Sequence, residues 1–424
     1  MSEFEKTTAS EAILVGIAET TAALDSLSRS LDELTRLLET AGGSVFARVV
    51  QVKDHPDVRT YIGSGKVREL KELCENHEIS LVVFDSELTP SQIRNLEEEI
   101  GEVTVIDRTM LILDIFALHA GSGEGKLQVE LAQLRYTAPR LTGKGVELSR
   151  LGGGIGTRGP GESQLERDRR HMKSRIHALE EQIAEMEKNR SVMRAARDRS
   201  GIPKVAIVGY TNAGKSTLLN YLTQAGVLAE DKLFATLDPT TRRLDLPEGE
   251  SLLLTDTVGF IRKLPHHLVK AFKSTLEEAV HADILLIVTD ATDAESDEHL
   301  DVTLSLLDEL GASGKPTVLV YNKSDLPNAR ARKEYRDMSA VVACSAATGE
   351  GVNELLAALL SIVRAGKREV NLCFPYTAQA KVSALYDCAQ ILSLDYENEG
   401  IRVRAILDTP TLGAYRAYVQ EREA

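Results

Sequence analysis

Gly209-Tyr210-Thr211-Asn212-Ala213-Gly214-Lys215-Ser216 directly follows the apolar run Val205-Ala206-Ile207-Val208 and directly precedes Thr217-Leu218-Leu219-Asn220-Tyr221-Leu222, a helix-forming stretch. A chain that leaves a strand through a glycine loop and re-enters as a helix has few folds open to it. The glycines let backbone N–H groups turn inward, and the helix N-terminus adds positive potential, so the segment reads as a cradle for α- and β-phosphates. Lys215 is placed to reach the β- and γ-phosphates, and the Ser216 hydroxyl is placed to ligate Mg²⁺.

Three later strand ends select the nucleotide. Asp256-Thr257-Val258-Gly259 follows Leu252-Leu253-Leu254; it offers an acid for Mg²⁺ through water and a glycine whose N–H approaches a γ-phosphate. Asn322-Lys323-Ser324-Asp325 ends the run Val318-Leu319-Val320-Tyr321. A carboxylate there accepts from N1–H and the 2-amino group of guanine, donors that adenine lacks, so the ligand is expected to be GTP or GDP. Ser345-Ala346-Ala347 closes Val341-Val342-Ala343-Cys344 and offers backbone amides to the guanine oxygen. Each tetrad alone is weak, but four in order at strand ends agree with one another.

A switch threonine is expected within Phe234-Ala235-Thr236-Leu237-Asp238-Pro239-Thr240-Thr241-Arg242. Thr236 is the choice for the second protein ligand to Mg²⁺, with Thr240 and Thr241 as alternatives and a turn of solvated threonines as the plain reading. The expected catalytic set is Lys215, Thr236, Gly259 and Asn212. Phe260 departs from the common pattern, since many GTPases carry a glutamine after the sensor glycine to orient the attacking water. A phenyl ring can neither donate nor accept a hydrogen bond, so hydrolysis by the chain alone is expected to be slow. Orientation and charge must then come from a partner surface or from a monovalent cation; Asn212 is the position from which a side-chain oxygen can coordinate K⁺.

The formal net charge of −14 argues against binding nucleic acid by bulk electrostatics. The charge is uneven, however: from Lys126 to Arg199 there are 16 Lys and Arg against 10 Asp and Glu, so an acidic body carries a basic limb. Leu127, Leu131, Leu134, Ala138 and Leu141 form one narrow apolar seam, and Ile176, Leu179, Ile183, Met186 and Met193 form another. Paired antiparallel they make a long helical hairpin, whose glycine-rich tip, residues 142–161, carries Lys144, Arg150 and Arg158. Arg167, Arg169, Arg170, Lys173 and Arg175 follow on the second helix. Glycines allow close backbone approach to RNA while arginines meet phosphates and stack on bases; a flexible loop beside a solvated basic helix is the plain alternative.

The expected fold is multidomain α/β: an N-terminal α/β domain (1–125), the hairpin (126–200), a P-loop GTPase domain (201–368) and a small α+β C-terminal docking domain (369–424). In the first domain, strands are expected at 45–52, 80–84 and 103–106. Helices are expected from Lys66, after the capping box Thr89-Pro90-Ser91-Gln92, and at 109–119. Residues 1–42 show only scattered apolar positions and a helix ending near Gly42. Gly63-Ser64-Gly65-Lys66 resembles a second nucleotide loop but reads better as a turn. The acidic start, the lack of a long apolar run and four unpaired cysteines (Cys74, Cys344, Cys373, Cys388) point to a cytoplasmic chain with no membrane span, and His266-His267 lacks metal-site framing.

The phosphate loop with Asn212, the sensor ending in Phe260, the switch 234–242 and the glycine-arginine tip before a basic helix together resemble the HflX family of ribosome-associated GTPases, in the wider TrmE–Era-like group. The resemblance covers nearly the whole chain. It implies a factor that binds the large ribosomal subunit and its rRNA, sends the tip toward the peptidyl-transferase centre and splits idle or stalled ribosomes, with the ribosome accelerating hydrolysis; separately, the free chain is expected to be a monomer. It also implies ATP binding and RNA remodelling through the N-terminal domain, for which residues 1–125 offer no motif. A GTP-gated assembly chaperone and an RNA-remodelling ATPase remain the alternatives.

Overall fold

A computed structural model describes residues 11–140, 164–198, 202–224, 233–234, 239–263, 273–330, 333, 335, 337–386, 389–397 and 400–420. The chain forms two compact units. One takes the residues up to Met186 together with two later segments, Glu230–Asp238 and Ile261–Thr275, and the other takes the remainder.

The first unit is built on a parallel sheet. β1 (Glu11–Ala18) is one of its two inner strands, followed by α1 (Leu24–Thr40), β2 (Ser44–Val52), α2 (Ser64–His77), β3 (Leu81–Phe84), α3 (Pro90–Ile100), β4 (Thr104–Asp107), α4 (Arg108–His119) and α5 (Gly123–Thr137). The strand order is β2-β1-β3-β4, all parallel. β1 reads as a continuous apolar run because both of its faces are covered. Ile13, Val15, Val82 and Phe84 share one core with Val67, Leu70 and Cys74 of α2 and Ile93 and Leu96 of α3, while α1 and α4 pack together with the sheet. The box at Thr89 forms as its sequence specifies: Gln92 N donates to Thr89 Oγ1 at 3.3 Å and Thr89 N to Gln92 Oε1 at 2.9 Å.

The long helix α6 (Gln164–Asp198) follows. Two ion pairs tie it to α5, Arg175–Glu130 at 2.7 Å and Arg135–Glu180 at 2.6 Å. The apolar faces differ from the expected pairing. α5 buries Gln128, Val129, Leu131, Ala132 and Tyr136 and packs on α4, leaving Leu127 and Leu134 half-buried. α4 takes a share of the α5 surface, through apolar contact and through Gln133 Nε2, which donates to Asp114 Oδ1 at 3.0 Å. On α6, Leu179 is buried and Ile176, Ile183 and Met186 are half-buried among exposed neighbours, as a narrow stripe requires.

The second unit holds β5 (Lys204–Gly209), α7 (Lys215–Thr223), β6 (Thr240–Asp245), β7 (Ser251–Asp256), α8 (Lys273–His281, which straddles the boundary), β8 (Ile284–Asp290), α9 (Ser296–Glu309), β9 (Thr317–Asn322), β10 (Ala340–Ala343) and α10 (Val352–Ala365). Its six strands run in the order β10-β9-β8-β5-β7-β6, parallel except β6. The same unit ends in an antiparallel sheet, β12-β13-β11-β14, from β11 (Lys367–Phe374), β12 (Gln390–Glu397), β13 (Gly400–Asp408) and β14 (Val419–Gln420). Short helices α11 (Gln379–Leu385) and α12 (Thr409–Tyr415) join its core, where Leu372, Phe374, Val403 and Ala405 meet Leu385 and Leu412.

Candidate active site

β5 delivers the chain into the loop, and backbone geometry explains its glycines. Gly209 has φ 145° and a Cβ there would stand 2.1 Å from the Val288 carbonyl oxygen; Gly214 has φ 90° and its Cβ would stand 2.2 Å from Asn322 Nδ2. Asn212 takes φ 61°, a left-handed conformation that asparagine tolerates, and is half-buried. α7 opens at Lys215, whose Nζ donates to the carbonyl oxygens of Gly209 (3.2 Å) and Tyr210 (2.9 Å), inside the loop. Burial pushes the Lys215 ammonium down to about 8, with the Asp256 carboxylate opposing the shift. The neighbouring Ser216 Oγ donates to Asp256 Oδ2 at 2.6 Å, so a hydroxyl and a carboxylate stand together as the oxygen donors a hard cation takes. Thr217 follows on the exposed side of the helix.

The sensor segment is stitched to the loop. Phe260 N donates to Gly209 O at 3.0 Å and Thr211 N to Phe260 O at 2.8 Å, forming a parallel bridge between Tyr210 and Phe260. Thr257 Oγ1 donates to Ile207 O at 2.7 Å, and Val258 and Phe260 are buried. Tyr210 stacks on His299 with centroids 3.6 Å apart. At the end of β9, Asn322 Nδ2 donates to Ala213 O at 2.8 Å while its Oδ1 accepts from Ala346 N at 2.9 Å. One amide thus joins the phosphate loop to the segment Ser345-Ala346-Ala347. Ser345 Oγ accepts from Ala347 N (3.3 Å) and Thr348 N (3.1 Å), which curls that segment into a turn. Lys323, at φ 63°, pairs with Asp290 at 2.6 Å, and Asp325 is exposed beyond it.

The four motifs are therefore brought together at the C-terminal ends of β5, β7, β9 and β10, where parallel sheets bind ligands. Within the switch, Ala235, Thr236, Leu237 and Asp238 lie outside the described residues. Phe234 belongs to the first unit, where its buried ring meets Phe116 edge-on at 4.7 Å. Of the alternatives, Thr241 Oγ1 meets Thr255 Oγ1 at 2.9 Å and Thr240 pairs with Asp256 across the β6–β7 ladder. In the basic limb, Lys144, Arg150 and Arg158 lie outside the described residues and Arg167 sits on α6; Arg169, Arg170 and Lys173 are exposed.

Sequence reasoning passed over the ion cluster of the first unit. Asp85 follows β3 and is 1% exposed; it accepts from Ser30 Oγ (2.8 Å), Arg108 Nη1 (2.7 Å) and Lys263 Nζ, while Arg108 Nη2 also reaches Glu33 at 2.7 Å. Lys263 stands four residues beyond Gly259 and takes φ 53°. The only advance signal was the lone acid after a buried strand. Gly63-Ser64-Gly65-Lys66 forms the first turn of α2, with Gly63 N bonded to Gln51 Oε1 (2.9 Å) and Lys66 Nζ to Glu69 (2.8 Å).

A parallel sheet whose strand ends carry the glycine loop Gly209–Ser216 and the segments Asp256–Gly259, Asn322–Asp325 and Ser345–Ala347 defines a P-loop GTPase, an enzyme that converts GTP to GDP and phosphate. Family comparisons agree along the chain: residues 28–117 match "GTP-binding GTPase N-terminal", residues 119–197 "GTP-binding GTPase Middle Region", and residues 204–323 "50S ribosome-binding GTPase". The GTPase HflX of Lacrimispora saccharolytica is 49% identical over 391 residues, 92% of each chain. That of Caldanaerobacter subterraneus is 51% identical over 376 residues, covering 89% of this chain and 87% of its own. That of Escherichia coli is 45% identical over 352 residues, 82% of each. The chain belongs to the HflX family of GTPases. Among the described residues no helix is long and apolar enough to cross a membrane.

Proposed function

We propose that this chain is a GTP-gated factor of the large ribosomal subunit: its GTP form engages rRNA through the basic limb and dissociates idle or stalled ribosomes, and hydrolysis releases it. The observation that carries the reading is Phe260, a buried ring where a water-orienting side chain would stand, beside the glycine loop and the Ser216–Asp256 pair. Such a site is built to wait for a partner. The basic limb and the family description "50S ribosome-binding GTPase" favour the large subunit as that partner.

In this reading Lys215 and the Gly259 N–H meet the γ-phosphate, Asp325 reads guanine and Asn212 faces a monovalent cation, K⁺. Mg²⁺ would be held by Ser216 and Thr236, with Asp256 acting through water. Its chemistry is neutralisation of charge on the β- and γ-phosphates. Lys144, Arg150, Arg158, Arg167, Arg169, Arg170 and Lys173 meet RNA phosphates.

Sedimentation of vacant ribosomes with the protein and a non-hydrolysable GTP analogue tests the proposal. Subunits separate before hydrolysis if it holds; binding to intact particles without separation would instead favour an assembly chaperone.

A further inference from the structure

Leu218 and Leu219 of α7 are buried in the core of the second unit and Leu222 packs against it, whereas Tyr221 on the same helix is 44% exposed. Its ring lies against the turn that follows β10. A Cβ built on Gly349 would stand 1.7 Å from Tyr221 Oη, 2.4 Å from Cζ and 3.0 Å from Cε2, and Gly349 itself takes φ 85°. The ring and the backbone conformation both ask for glycine there.

Gly349 belongs to the turn that carries Ser345-Ala346-Ala347. Gly349 N donates to Ser345 O at 2.8 Å and Ser345 N to Glu350 O at 2.9 Å, closing the turn on itself. The turn is held by Asn322 at Ala346 N, by the Ala343 carbonyl oxygen, 2.0 Å from a Cβ built on Gly351, and by the Tyr221 ring at Gly349. The first two holds come from β9 and β10; the third comes from the helix that opens at Lys215. Ala347, Thr348 and Glu350 are exposed, so core packing does not fix the tip of this turn. A hydrogen bond weakens steeply as its donor turns away from the acceptor, so a donor borne on backbone needs that backbone held.

We propose that Tyr221 is a positioning residue for guanine specificity: its ring holds the turn at Gly349, and the turn so held points a backbone amide of Ser345-Ala346-Ala347 at the guanine 6-oxygen. The assignment rests on the guanine reading above. Tyr221 acts through the turn and need not touch the base. Asp325 reads N1–H and the 2-amino group, so tetrad and turn meet different atoms of one ring and are told apart by changing the ligand. In 6-thio-GDP both of those donors remain while sulfur, a weak acceptor, replaces the 6-oxygen.

The test measures Kd for GDP and for 6-thio-GDP by displacement of a fluorescent GDP from the full-length protein. Wild type is expected to prefer GDP by about 5-fold, the effect of one neutral hydrogen bond. Tyr221→Ala is expected to erase that preference by weakening GDP alone, while Tyr221→Phe, which keeps the ring, retains it. Gly349→Ala drives a methyl group into the ring and should act as Tyr221→Ala does, carrying the test where Tyr221→Ala fails to fold. The double variant should fall no further in preference than Tyr221→Ala, because the two changes break one contact. A wild-type preference in Tyr221→Ala would overturn the assignment, and so would equal losses for both nucleotides, which mark a packing role. A wild-type chain that bound ADP as tightly as GDP would instead bring down the guanine reading itself, and the assignment with it.

Discussion

Both units carry acids at the C-terminal ends of parallel strands, and they use them in opposite ways. In the N-terminal sheet, Asp85 is met by Ser30, Arg108 and Lys263. Asp107 is met by Arg140 at 2.9 Å, by Leu88 N at 3.0 Å, by Met110 N at 3.0 Å and by the Tyr136 hydroxyl. Those carboxylates are saturated from within and serve as knots between helices. In the second sheet Asp256 faces the Ser216 hydroxyl, and Asp325 is exposed. A strand-end acid makes a site only where the fold leaves its oxygens something outside the protein to bind. The knot at Asp85 also takes in Lys263, a residue of the same unit that stands four positions after Gly259 in the sequence.

Breaking each region separates the two roles. Lys215→Ala removes the cation of the cradle, and GTP turnover with large subunits is expected to fall by roughly 100-fold or more while urea unfolding of the N-terminal unit stays unchanged. Arg108→Met leaves Asp85 and Glu33 buried without their main counter-charge, and is expected to destabilise that unit by about 3–5 kcal/mol in urea titrations.

The third effect is a pH dependence. The folded Lys215 pKa of about 8 lies below its value of 10.5 when unfolded. Between those values the unfolded chain binds more protons, so stability measured without nucleotide gains up to about 3 kcal/mol as pH rises through the window. Lys215→Met should remove that slope. Smallest of the four, Thr89→Ala loses one N-cap in the N-terminal unit, an expected loss of about 1 kcal/mol with turnover unchanged.

The cradle was legible because its signals are local: a strand, a glycine-marked turn and a chemical residue lie within a dozen positions, and Gly209 and Gly214 have no room for a side chain. The N-terminal sheet was harder to read. Ala12–Val15 is completely buried, yet its apolar run carries no turn chemistry to mark it as an inner strand, and it reads only as scattered apolar positions ahead of a helix. β11 begins at Lys367, inside the range expected for the GTPase domain, and its charged start is paired: Lys367 Nζ lies 2.7 Å from Glu250. The face of α5 depended on α4, and the Arg108 cluster joins residues 78 positions apart, as Arg108 is from Ser30. Long-range pairing of this kind leaves no periodic trace.

Single-turnover GTP hydrolysis, with and without large ribosomal subunits, tests the central claim that the cradle waits for a partner. The wild-type chain is predicted to be slow alone and accelerated by about 10-fold or more by the particle, as expected where a partner completes the transition-state contacts. The joint substitution Arg150→Ala and Arg158→Ala should abolish most of that gain and flatten its salt dependence. Fast hydrolysis by the pure protein, unaltered by subunits or by loss of the two arginines, would contradict the account.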